Sequence, residues 1–204
     1  MATRRQAREW AVQLLFQLDA SARTATGAEE SLDLAVVFSE FWANQLRLLN
    51  EGSEAPLPEE ELFLADGWED RIADGPTRRF CEAIVSGVAA HLPVIDQTIA
   101  EAASHWKLDR MGGVERSALR MGAYEILFCD DVPVPVAINE AIDVCRYFGM
   151  RDSARFVNGV LDHIAHAGPV HKGSRRPTAE EADGDGDSWS PPADPSPADS
   201  DPAP

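Results

Sequence analysis

The chain has 204 residues, 44% of them hydrophobic, and a formal net charge of −17. That is enough apolar material for one sizeable core or two small ones, and the wrong charge for a protein that coats nucleic acid indiscriminately. The opening Met1–Trp10 segment has no apolar run and no stretch reaches the ~18 uncharged apolar residues of a membrane span, so no membrane is expected and a cytoplasmic setting is.

The first predicted helix carries Ala7, Ala11, Leu14, Leu15 and Leu18 on one face. A second is marked by Leu32, Ala35, Val36, Trp42, Leu46 and Leu49. Residues 50–76 are expected to form a long loop, with a short helical turn around Leu62–Trp68. Pro76 suits the first turn of a third helix striped by Phe80, Ile84, Val88 and Leu92, with Pro93 as its stop. A fourth is expected from about Val94 to His105.

Val114–Phe128 is apolar nearly all round, the pattern of a helix buried by several neighbours. Pro133 and Pro135 precede a sixth helix striped by Ile138, Ala141, Ile142 and Cys145, with Gly149 as its C-terminal stop. Asp152 or Ser153 then caps a seventh, with Val157, Val160, Leu161 and Ile164 inward. The expected fold is therefore all-α, about seven helices over residues 1–167. Residues 168–204, rich in Pro, Asp, Ser, Ala and Gly, read as a disordered acidic tail.

The acidity is uneven. Residues 51–75 hold nine acids and one arginine, and residues 168–204 hold eight acids and three bases, which leaves −4 for the rest of the chain. A local basic patch is compatible with that remainder. Cys81, Cys129 and Cys145 form no C-x-x-C pair and are odd in number, so reduced thiols are expected rather than disulfides or zinc. His163 and His166 share a helix face with His171 following, but no carboxylate or cysteine at ligand spacing joins them. Phosphate-binding glycine loops and hydrolase signatures are absent from the sequence, and no enzyme activity, cofactor or metal is expected.

Arg4, Arg5 and Arg8 cluster at the start of the first helix, where the helix dipole disfavours cations. Phosphate binding explains such a cluster; a solvated helix start is the plain alternative. Arg155, Phe156 and Asn158 lie off the apolar stripe of the seventh helix and combine a cation, a ring and an amide, the groups used to hold single-stranded RNA. Packing of Phe156 on a neighbouring helix is the competing reading.

Several segments together resemble the NusB family of bacterial transcription antitermination factors. They are Arg4-Arg5-Gln-Ala-Arg8 through Phe16, Trp106-Lys-Leu-Asp109, and Val114-Glu115-Arg-Ser-Ala-Leu119-Arg120 through Glu125. The most specific are Val132-Pro-Val-Pro-Val-Ala-Ile-Asn139-Glu140, Phe148-Gly149 and Arg155-Phe156-Val157-Asn158-Gly159. The resemblance implies a seven-helix fold of two small bundles, and pairing with NusE, a small-subunit ribosomal protein. It further implies joint binding of the boxA element of nascent ribosomal RNA within the RNA polymerase antitermination complex.

Carried over by position, Arg4, Arg5, Arg8, Phe16, Arg155 and Phe156 fall on the RNA side, and Glu115, Arg116 and Arg120 on the partner surface. The chain departs from the family pattern at Gln6, in a longer and acidic 19–75 region, and in its tail. A second reading is a stand-alone RNA-binding module akin to the N-terminal domain of ribosomal RNA cytosine methyltransferases, although the S-adenosylmethionine domain of such enzymes does not follow. A third is a purely structural interaction module.

Overall fold

The computed structural model describes residues 3–24, 33–63, 68–104 and 106–167. These residues form α1 (Arg4–Thr24), α2 (Leu34–Glu51), the single turn α3 (Glu59–Leu62), α4 (Gly75–Ala102), α5 (Gly113–Phe128), α6 (Val134–Phe148) and α7 (Ser153–Ala167), with no strand among them. Short 3-10 turns at Trp68–Arg71 and Leu108–Arg110 complete the connections. The all-α expectation holds, but its segmentation changes in the middle.

The predicted third and fourth helices are one helix, and Pro93 lies inside it. A mid-helix proline removes one hydrogen bond and clashes with the preceding turn, at about 3 kcal/mol. The cost is met by burial on both sides of Pro93. Cys81, Ile84, Val85 and Val88 are buried before it, and Ile95, Ile99 and Ala102 after it. By composition α4 is apolar enough to cross a membrane, yet its apolar face packs on α1, α5 and α7.

Helix starts follow the local chemistry of the chain. The Thr3 hydroxyl accepts from Gln6 N at 3.3 Å, Asp33 from Ala35 N at 2.9 Å and Asp74 from Thr77 N at 2.8 Å. Pro76 and Pro135 occupy first turns. Asp152 precedes α7, and its carbonyl accepts from Phe156 N.

The predicted stripe of α2 needs correction. Trp42 and Leu46 are buried, but Val36 and Leu49 are more than half exposed. The inward face is Phe41, Trp42 and Leu46, with Val37 and Phe38 packed beside them. Trp42 meets Trp10 of α1 edge-on at 5.2 Å and donates to Glu82 of α4 at 2.7 Å. The large aromatic area of Phe41 and Trp42, together with Leu46, sets which side of α2 turns in. The connection after α2 carries its turns at 59–62 and 68–71, flanking the expected position.

Helix α5 is the centre, packed against α1, α4, α6 and α7. Ten of its residues are buried, including the charged Arg116, Arg120 and Glu125. Gly122 lets α6 and α7 approach it closely: a Cβ there would meet Leu161 Cδ1 at 2.6 Å and Ala141 Cβ at 3.4 Å. Gly149 ends α6 as expected, for a steric reason, since a Cβ would fall 2.6 Å from the Cys145 carbonyl oxygen. Leu32, His105, His171 and the predicted tail lie outside the described residues.

Candidate nucleic-acid interface

The three arginines of the α1 start divide. Arg4 is two-thirds exposed, 3.9 Å from Asp131, with its guanidinium 5.0 Å from the centre of the Phe80 ring. Arg5 is half-exposed and paired with Asp143 of α6, which Arg146 also reaches at 3.1 Å. Arg8 is buried. Its guanidinium holds Glu125 from Nε at 2.9 and 3.1 Å and from Nη2 at 2.8 Å, and lies 5.2 Å from the Phe80 ring centre. The exposed cationic pair is thus Arg4 and Arg5, and Arg8 locks the helix beneath them.

Glu125 and Glu140 both approach Arg8, Glu140 at 3.9 Å. Burial pushes the Glu125 carboxyl above its ordinary range, with the Arg8 hydrogen bonds offsetting part of the rise. One guanidinium between two carboxylates makes this junction a constraint on the position of α1 rather than a surface for anions.

The other expected RNA residues lie toward the starts of α5 and α7. Phe16 is 44% exposed, and its ring covers the first turn of α5, where a Cβ on Gly113 would collide with it at 2.5 Å. The Ser153 hydroxyl donates to Glu115, tying the start of α7 to the start of α5. From α7, Arg155 and Asn158 project into solvent, whereas Phe156 is half-buried. Its ring sits 5.7 Å from that of Trp106, tilted by 56°. The packing alternative for Phe156 therefore holds for much of the ring. Twelve residues of helix, about 18 Å, separate Arg4 from Phe16, so the expected residues form two groups and not one patch.

Arg116 and Arg120, expected on a partner surface, are drawn inward. Arg116 pairs with Asp19 and donates to the Leu108 and Met111 carbonyls at 2.9 and 2.8 Å. Arg120 reaches Asp19 at 2.8 Å and Asp96 at 2.7 and 2.8 Å. Burial alone would raise the Asp19 carboxyl, but hydrogen bonds from both arginines hold it below its usual range. Burial acts against the charge of Arg120, yet Asp96 and Asp19 leave its pKa raised. Here α1, α4 and α5 are joined by alternating charges, and the physical reason is satisfaction: guanidiniums on a buried helix need carboxylates.

The cysteines are free. Cys81 and Cys145 are buried and Cys129 is partly so, and burial raises all three thiols, Cys145 to about 12. Among the described residues no three His, Cys, Asp or Glu side chains gather as a metal would require. His163 and His166 are exposed, and His166 Nδ1 lies 2.7 Å from the Asp162 carbonyl oxygen.

The profile of the NusB family matches residues 45–166, more than half of the chain. The chain belongs to the NusB family. A transcription antitermination protein NusB from Syntrophotalea carbinolica is 36% identical over 162 residues, spanning 79% of this chain and 91% of that relative. The solved NusB of T. maritima superposes with a TM-score of 0.60 at 26% identity, over 81% of this chain and 92% of the other. A chain from the crystal structure of antitermination factors NusB and NusE in complex with dsRNA shares the fold with a TM-score of 0.57 at 22% identity, over 80% and 96%.

Within this NusB fold, sequence reasoning missed Asp19, Asp96, Glu125 and Trp106 as the residues that hold the expected ones. A signal existed for two of the pairs. Arg8 falls beside Ala11 and Leu15 in the apolar stripe of α1, and Arg116, Arg120 and Glu125 interrupt an otherwise apolar α5. Charges in such positions require internal partners.

Proposed function

We propose that the chain is a transcription antitermination factor that binds the boxA element of nascent ribosomal RNA jointly with NusE, in the cytoplasm and without catalysis. Its membership of the NusB family is the observation that carries this reading. Two exposed guanidiniums, Arg4 and Arg5, supply phosphate contacts at the start of α1, and Phe16, with Arg155, Asn158 and the exposed edge of Phe156 on α7, supplies base contacts. Arg8 acts as a positioning residue beneath the phosphate contacts.

NusE docks, in this reading, on the surface around the first turns of α5, with Glu115, Arg116 and Arg120 as its internal supports. Residues 1–167 serve as the folded RNA-binding domain, the acidic 50–76 connection as an insertion in it, and residues 168–204 as an acidic tail outside it. Because the body outside the acidic segments still carries net negative charge, RNA binding by the chain alone is weak, and NusE completes the surface.

Titration of a boxA RNA into the chain with and without NusE tests this. A tenfold or greater gain with NusE, about 1.4 kcal/mol of coupling, is the expected result. Equal affinity in both titrations overturns the joint-binding reading.

A further inference from the structure

The two most exposed large hydrophobic side chains of the described residues, Tyr147 at 79% and Met150 at 83%, stand at the end of α6 with no packing role. The Phe148 ring meets Tyr147 edge-on at 4.7 Å and fixes its orientation. Gly149 closes the turn tightly against Cys145 and Ser153, where a Cβ would have no room. Arg146 and Arg151 flank the pair and are exposed.

Tyr147 continues the cationic group at the start of α1. It follows Asp143 by four residues, so both lie on one face of α6 about 6 Å apart along the axis. Asp143 is the residue that holds Arg5 and Arg146. On its other side, the turn at Gly149 touches Ser153, whose hydroxyl holds Glu115 and which precedes Arg155 by two residues. Along α6, Tyr147 therefore lies between Asp143, which holds Arg5, and the turn that meets Ser153, the first residue of the helix carrying Arg155 and Phe156.

We propose that Tyr147, flanked by Met150 and the guanidiniums of Arg146 and Arg151, is a base-stacking step for an unpaired nucleotide of single-stranded RNA running between those two groups. The step rests on the RNA-binding reading above. Its chemistry is that of an exposed, pre-oriented ring beside cations: the ring takes the face of any base and the guanidiniums accompany the backbone. A strand of single-stranded RNA fits this surface better than a protein helix does, because the exposed apolar area is small, the Tyr147 and Phe148 rings and the Met150 thioether, and is interleaved with the charges of Arg146, Arg151, Asp143 and Asp152.

The test uses the full chain with NusE and a boxA RNA of about twelve nucleotides carrying 2-aminopurine at successive positions. Wild-type binding quenches the probe at one position in the middle of the strand. Tyr147→Ala and Tyr147→Leu relieve that quenching and weaken binding at least roughly fivefold, whereas Tyr147→Phe keeps both. The salt dependence of binding stays unchanged in Tyr147→Ala, since every phosphate keeps its cation. Because Tyr147 is mostly exposed, its variants melt as the wild type does, and Tyr147→Leu carries the test should Tyr147→Ala not fold. Unchanged quenching and affinity in Tyr147→Leu, with Arg4→Ala/Arg5→Ala still weakening the complex, overturns the stacking step and leaves the RNA reading standing. Loss of NusE capture in Tyr147→Leu without loss of quenching likewise overturns it, and assigns the patch to protein. Failure of the wild-type chain to bind the RNA with NusE overturns both readings together.

Discussion

Glu125, with no exposed surface, receives the guanidinium of Arg8 from 117 residues earlier in the chain, at N–O distances of 2.8 to 3.1 Å. The pair fixes where α1 crosses α5, and with it where Arg4 and Arg5 stand. Removing one partner leaves the other charge buried without compensation, which costs about 3–5 kcal/mol. Arg8→Met is expected to lower the melting temperature by about 2–4 °C per kcal/mol. The double variant Arg8→Met/Glu125→Leu should regain much of that loss, and calorimetry on the three proteins decides it. A double variant no more stable than Arg8→Met alone rejects the pairing as the cause.

Arg4 and Arg5 behave differently because water already reaches them. Replacing both by Ala leaves the melting temperature unchanged. It lowers the slope of log affinity against log salt by about 0.7 for each phosphate deprived of its cation, or about 1.4 in all. Anisotropy titrations at several salt concentrations read this slope. An unaltered slope returns the two residues to the status of solvated helix-start charges.

Asp19 links stability to pH. Its carboxyl is held below the ordinary value of 3.8 in the folded chain, so the folded state keeps the charge to lower pH than the unfolded one. The resulting stabilisation is fully present above the unfolded value and fades as pH falls through the folded one. Asp19→Asn, which strips Arg116 and Arg120 of a shared carboxylate, is expected to cost about 3–5 kcal/mol at neutral pH. Its stability should then fall less steeply than the wild type's below about pH 4. Urea unfolding across the acid range measures both; parallel curves for the two proteins exclude Asp19 as the acid-sensitive group.

Pro93 is exposed, so its ring contributes little packing to offset its effect on the helix. Pro93→Ala restores a backbone donor in the middle of α4 and should stabilise the protein by up to about 3 kcal/mol. A melting temperature equal to or below that of the wild type shows that the helix is bent there to a purpose in packing.

The fold was legible where a residue's partners are its neighbours in sequence. The inward stripes of α1, α6 and α7, the first turn at Pro76, the helix start after Asp152 and the stop at Gly149 all follow from local spacing. Pro93 misled because its local cost is real and only burial on both sides outweighs it. In α2 the expected Trp42 and Leu46 do turn inward, but Trp42, packed edge-on against Trp10 of α1, brings Phe41 in beside it and leaves the expected Val36 and Leu49 exposed. The candidate site suffered the same limit. Arg4, Arg5, Phe16, Arg155 and Asn158 could be marked as solvent-facing groups, but the fates of Arg8, Arg116 and Arg120 depended on Glu125, Asp19 and Asp96. Those acids are 24 to 117 residues away, and nothing local announces them beyond the oddity of a charge in an apolar stripe. Tyr147 carried no signal as an isolated aromatic, and only its exposure beside Asp143 singled it out.

The reach of these pairs has a consequence during synthesis. Arg8 must await Glu125, and Arg5 must await Asp143, 138 residues later. At elongation rates of about 5–20 residues per second, 117 residues take roughly six to twenty-three seconds. Through that interval the arginine in the apolar stripe of α1 has no acid of α5 to meet it. The start of the chain therefore settles late, and Arg5 and Arg8 become fixed only when α5 and α6 have left the ribosome.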